Sequence, residues 1–166
     1  RRLNSLESRI AEMDSPEVRV KAYLVAARSR LVQSQDPRPM FNSARESALR
    51  IVSQGLRVLC LRNLGRILVE FGYYDDANNL LSSIDGAVTY GFVAAEIAEA
   101  ERRIGRGYES TLSLAVISMR GAEKEPNWIL AAKAVVRVYA LHGNIRGATE
   151  MIAKSSPGVR SELYAH

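Results

Sequence analysis

Between Leu61 and Ile84 the chain reads LRNLGRILVEFGYYDDANNLLSSI, a helix, a glycine turn and a second helix. That unit constrains everything around it. Leu61, Leu64, Ile67, Leu68 and Phe71 recur at steps of three and four, which lines one face of a helix. Gly65 inside it costs about 1 kcal/mol relative to alanine, so it marks the close approach of a neighbouring helix. Gly72 follows Phe71 where a helix end takes a left-handed residue, a conformation glycine adopts without steric cost. Asp75 and Asp76 open the next helix, where carboxylates accept from unpaired backbone N–H groups and suit the positive end of the helix dipole. Ala77, Leu80, Leu81 and Ile84 supply its apolar face. Neither helix can bury its face alone, so the hairpin must stack on others.

The flanking sequence supplies them. A short helix is expected over 3–13 on Leu3, Leu6, Ile10 and Met13, broken by Asp14-Ser15-Pro16. A longer one follows over 17–33, with Val20, Tyr23, Leu24, Ala27 and Leu31 inward. SQDPRPM, Ser34 to Met40, reads as a loop because it carries two prolines. Asn42 or Ser43 then caps a helix reaching about Ser53, and Gln54-Gly55 closes it. Beyond the central unit the spacing predicts helices over 88–104, 108–119, 128–142 and 145–154, with GAEKEPN (Gly121 to Asn127) as a polar loop. No useful length alternates with the period of two that strands require. The chain is all-α.

Hairpins recur. Gly72, Gly105 and Gly143 each end a helix, 33 and 38 residues apart, and each lies five residues before a small residue: Ala77, Ser110 and Ala148. SPEVRVKAY at Ser15–Tyr23 and SPGVRSELY at Ser156–Tyr164 share five of nine letters at a separation of 141 residues, close to four such units. On these residues the chain resembles the tetratricopeptide-like helical repeats. Leu64, Gly65, Leu68, Gly72, Ala77 and Leu81 occupy that family's positions in the clearest unit. Ile97, Ala98, Gly105, Ser110 and Leu114 follow in the next, then Val135, Val136, Tyr139, Gly143, Ala148 and Ile152. Ala27 and Ala44 match in the first unit. The large aromatic that opens the family pattern is missing, and Glu101 stands where an aromatic is usual. The resemblance implies a right-handed α-α superhelix, a solenoid of antiparallel hairpins, as one domain over 1–166. The start at Arg1-Arg2 and the repeat-like ending VRSELYAH give the expectation of a piece cut from a longer protein.

The net charge of +5 and a pI near 9.6 favour acidic partners. In the superhelix that the resemblance implies, the first helix of each hairpin lines the concave wall. One row there holds Arg28, Arg66, Glu99 and Arg137. A second holds Leu24, Arg62, Ala95 and Lys133, and a third Lys21, Leu59, Phe92 and Leu130. The candidate partner-binding residues are Arg28, Arg62, Arg66, Arg102, Lys133 and Arg137. Guanidinium groups at repeat spacing can hold carboxylates or phosphates of an extended ligand by paired hydrogen bonds. The expected function is a protein–protein interaction scaffold that holds an acidic partner segment. Two alternatives are a nucleic-acid-binding helical repeat and a structural or oligomerising segment of a larger regulatory assembly, self-associating through its ends. Pentatricopeptide repeats, which bind RNA, share the period, but Leu24, Arg62, Ala95 and Lys133 form no base-reading code.

Catalysis finds no constellation. His142 and His166 are the only histidines, no metal-ligand spacing is present, and Asp75-Asp76 are neighbours that a helix points apart. No enzyme activity, metal or cofactor is expected. Gly105-Arg106-Gly107 lacks the ending of a phosphate loop. Cys60 alone excludes an internal disulfide and reads as a buried small residue. No run approaches a membrane span and no secretory pattern opens the chain, so a cytoplasmic protein without a membrane partner is expected.

Overall fold

The computed structural model describes residues 2–153 and 160, with side chains from residue 6. Among them every regular element is a helix: α1 (Arg2–Ala11), α2 (Pro16–Val32), α3 (Arg38–Leu49), α4 (Gln54–Glu70), α5 (Tyr74–Ser82), α6 (Ala87–Arg103), α7 (Glu109–Ser118), α8 (Trp128–Leu141) and α9 (Ile145–Ala153). The chain divides into two compact units, residues 1–68 and 69–166. The SPGVRSELY copy and the ending VRSELYAH fall almost wholly outside the described residues.

In the first unit α2 packs along α3, with α1 alongside α2. Val20, Ala27, Met40, Phe41, Ala44 and Ala48 are buried there, together with Leu61, Leu64 and Leu68 of α4. Ser15 caps α2 by accepting from the Val18 N–H at 3.3 Å, and Pro16 occupies the first turn, where no N–H is needed. The stretch expected as a loop ends early. α3 begins at Arg38, because prolines fit a first helical turn as well as a loop. Asp36 Oδ1 accepts from the Arg38 N–H at 3.1 Å, and Met40 is already core. Gln54-Gly55 likewise opens α4 instead of closing α3, and Ser53 O receives the Arg57 N–H at 2.9 Å.

In the second unit α6 is the central helix. It packs on α7, α8 and α5, and α8 packs on α9 and α7. Ala94, Ala95, Ala98 and Ala100 let neighbours close in on all sides, so residues 91–101 of α6 are buried throughout. Gly91 is the tightest approach. A Cβ there would lie 2.4 Å from Met119 Cγ and 3.1 Å from the Ala115 carbonyl oxygen.

One turn recurs after α2, α4, α6 and α8. Gly72, Gly105 and Gly143 have φ of 81°, 73° and 71°, and each N–H returns 3.0 Å to the carbonyl three residues earlier. After α2 the same place holds Ser34, at φ 55°, with its N–H 3.0 Å from Leu31 O and Gln35 N 2.8 Å from Arg30 O. The connection after α2 therefore makes the same turn with a side chain in a strained position. Ser34→Gly is expected to stabilise the chain by ~0.5–1 kcal/mol, relief of the left-handed strain being partly offset by unfolded-state entropy. Urea titration measures it as a raised midpoint at unchanged slope.

The register of α7 differs from the expected one. Ser110 and Leu114 are exposed, while Thr111, Leu112 and Ala115 are buried. Helix α7 starts four residues after Gly105, whereas α5 and α9 start two residues after Gly72 and Gly143, and the longer connection rotates the helix. The expected inward Ala77, Leu81, Ala148 and Ile152 are buried. Asp75 and Asp76 lie in the first turn of α5, but the capping position is Tyr73, whose side chain makes no capping bond.

Candidate functional site

The six candidate cations divide between the units. In the first, Arg28 of α2 is exposed, and no hydrogen bond or ion pair among the described residues holds it. Arg62 of α4 is half-buried. Its Nη2 donates to the neighbouring Asn63 Oδ1 at 3.4 Å, and its Nε is buried with no hydrogen-bond partner. Arg66 is half-buried as well. Lys21 and Leu59 are exposed beside them, and Leu24 turns inward. Exposed on α2, Arg28 offers its guanidinium donors to an incoming oxyanion.

The second unit uses its cations differently. Arg102 Nε donates to Glu99 Oε2 at 2.9 Å and Arg103 Nε to Glu99 Oε1 at 3.0 Å, around a carboxylate that is 5% exposed. Those bonds, Arg102's first, hold the Glu99 carboxyl below its ordinary range against the cost of burial. Arg137 of α8 donates to the buried Glu96 of α6. Arg102 and Arg137, expected as partner contacts, are engaged with acids of their own unit, while Lys133 is half-buried. Phe92, Ala95 and Glu99, the α6 members of the three rows, are buried. The cause is the central position of α6, which a repeat alignment treats as one more wall helix. Arg30 in the first unit is likewise engaged, by Glu7 and by the Asp36 carbonyl.

The charge count follows the same division. Residues 1–68 carry 13 lysines and arginines against 6 acids, a net +7, and residues 69–166 carry 10 against 12, a net −2. The whole basic excess lies in the first unit.

Glu101, buried where the repeat pattern expects an aromatic, accepts from Thr111 and faces Arg106 Nε at 3.7 Å, while its Oε2 has no partner. Arg106 also lies over the Tyr74 ring at 3.7 Å, and Tyr108 meets the His142 ring edge-on at 4.6 Å. These contacts seal the helix ends. Desolvation raises the Glu101 pKa despite Thr111 and Arg106. A raised folded-state value means that the stability this group contributes is full below its ordinary 4.5 and lost as pH rises through the folded value. Glu101→Gln, which keeps the acceptor for Thr111, is therefore expected to raise the melting temperature at pH 7 and to leave it nearly unchanged near pH 4. Parallel thermal melts at the two pH values check this.

A cleft of about 250 Å³ lies among α7, α8 and α9, walled by Met119, Trp128, Tyr139 and Met151 with Arg120 and Glu150 at its rim. It holds no histidine or cysteine, and among the described residues no group of three or more His, Cys, Asp or Glu could hold a metal. Cys60 is buried, and burial raises its pKa. None of the helices over the described residues is long and apolar enough to cross a membrane.

No family model, curated protein or solved structure matches this chain.

Proposed function

We propose that this chain is a non-catalytic interaction module of tetratricopeptide-like hairpins, stacked as a right-handed solenoid, that holds an acidic segment of a partner protein in the cytoplasm. The observation that carries the reading is the charge segregation. The first unit has a net +7 with Arg28 exposed and held by no acid among the described residues, whereas the second unit spends Arg102 and Arg137 on its own buried glutamates. A cation already satisfied inside its domain contributes little to a partner, and one with unmet donors contributes direction and strength.

A pull-down from native extract tests the reading, with wild type beside Arg28→Glu/Arg62→Gln/Arg66→Gln and with and without nuclease. The expected result is a protein captured by wild type, lost in the variant and indifferent to nuclease. Capture that disappears with nuclease would move nucleic acid to first place. Equal capture by both folded forms would contradict the basic surface.

A further inference from the structure

Helix α2 is apolar on two faces, and only one of them is core. Val20, Tyr23, Leu24, Ala26 and Ala27 are buried. On the outer side Val18, Lys21, Val25, Arg28 and Val32 follow one another at steps of three and four, and all five are exposed, Val25 at 68% and Val32 at 88%. Such steps keep residues on one seam of a helix, and this one runs about 21 Å at 1.5 Å per residue. A second exposed seam, Leu56, Leu59 and Asn63, lies on α4 in the same unit. Single exposed valines need no explanation, but three in register with two cations form a patterned surface.

We infer that the Val18–Lys21–Val25–Arg28–Val32 seam of α2 docks an acidic amphipathic helix of a partner protein. This rests on the proposed partner-binding function and names the place and the partner's chemistry.

Three observations choose the occupant. The +7 charge of the unit complements an acidic segment. A second copy of α2, laid antiparallel about Val25, would set Lys21 against Arg28 of its mate, a like-charge pairing that disfavours self-association through this seam. Single-stranded nucleic acid needs aromatic faces for its bases, and the only aromatic residues in the first unit, Tyr23 and Phe41, are buried. Aliphatic side chains between cations instead suit leucines flanked by carboxylates, an apolar helix face laid along an apolar seam.

The test is fluorescence anisotropy on the full chain. Its probe is a labelled synthetic helical peptide of α2's length, with leucines on one three-four seam and glutamates flanking it. A scrambled peptide of the same composition and a single-stranded oligouridylate are run beside it. The peptide is expected to bind, with Val25→Asp and Arg28→Glu each weakening it roughly tenfold or more. Lys133→Glu/Arg137→Gln should leave it within about twofold, and the scrambled order should bind roughly tenfold worse. Val25 and Arg28 are exposed, so both variants keep the fold, as circular dichroism verifies. Loss in the Lys133/Arg137 variant with retention in the α2 variants would overturn both the seam and the assignment of partner binding to the first unit. Equal binding of ordered and scrambled peptides would reduce the interaction to net charge and also overturn the seam. Binding of oligouridylate without the peptide would overturn both.

Discussion

Trp128→Ala is expected to destabilise the second unit by ~3–5 kcal/mol, the range for deleting a large buried aromatic side chain. Trp128 is 4% exposed at the start of α8, beneath the loop that follows α7. Its indole Nε1 donates to the Met119 carbonyl at 3.2 Å, tying the end of α7 to the start of α8 across nine residues. The ring also forms one wall of the cleft whose other faces are Met119, Tyr139 and Met151, so its removal enlarges an existing void that the backbone cannot close. Trp128→Phe keeps most of the apolar volume and loses the hydrogen bond, and should cost about 1–2 kcal/mol. Urea unfolding followed by far-ultraviolet circular dichroism separates the two variants. Equal costs for both would mean that the hydrogen bond, and not the packing, is what Trp128 supplies.

The second large effect is electrostatic. Arg102→Ala/Arg103→Ala leaves the Glu99 carboxylate, 5% exposed, without either guanidinium. Breaking a buried pair costs up to about 3–5 kcal/mol, because a charge is left desolvated and uncompensated. Arg102 is 27% exposed and Arg103 53%, so solvent screening brings the loss well below that of a fully buried pair. Adding Glu99→Leu to the double variant should recover most of the loss, since an apolar side chain replaces the orphaned charge. The pH dependence provides a second check. Glu99's folded-state pKa is depressed, so its contribution is present above its ordinary 4.5 and is lost as pH falls through the lower folded value. The double variant should therefore differ most from wild type near neutrality and converge on it in acid. Thermal melts from pH 7 downwards measure the convergence.

The helices were legible because their apolar steps are regular and glycine marks three of the four recurrent turns. Ser34 was not legible, since a serine gives no sign that its backbone is left-handed, and Pro37 and Pro39 pointed to a loop as well as to a first turn. The rotation of α7 arises from the longer connection through Gly107 and Tyr108, which a count from Gly105 to Ser110 does not register. Among the candidate site residues, the repeat resemblance pointed to Arg28, Arg62 and Arg66. It also selected Arg102 and Arg137, whose partners Glu99 and Glu96 lie on α6. A single helix pattern cannot disclose that burial, which comes from packing on several sides. The outer seam of α2 was hidden for a related reason. Valines on both faces of one helix blur its amphipathic pattern, and only the fold shows which set is covered.

The most direct measurement of the central claim is backbone amide NMR of the full chain titrated with the acidic helical peptide. Shift changes are expected to concentrate on Val18–Val32 of α2 and Leu56–Arg66 of α4, with α6 and α8 unmoved. Changes centred on α6 or α8, or spread evenly over every exposed cation, would contradict it.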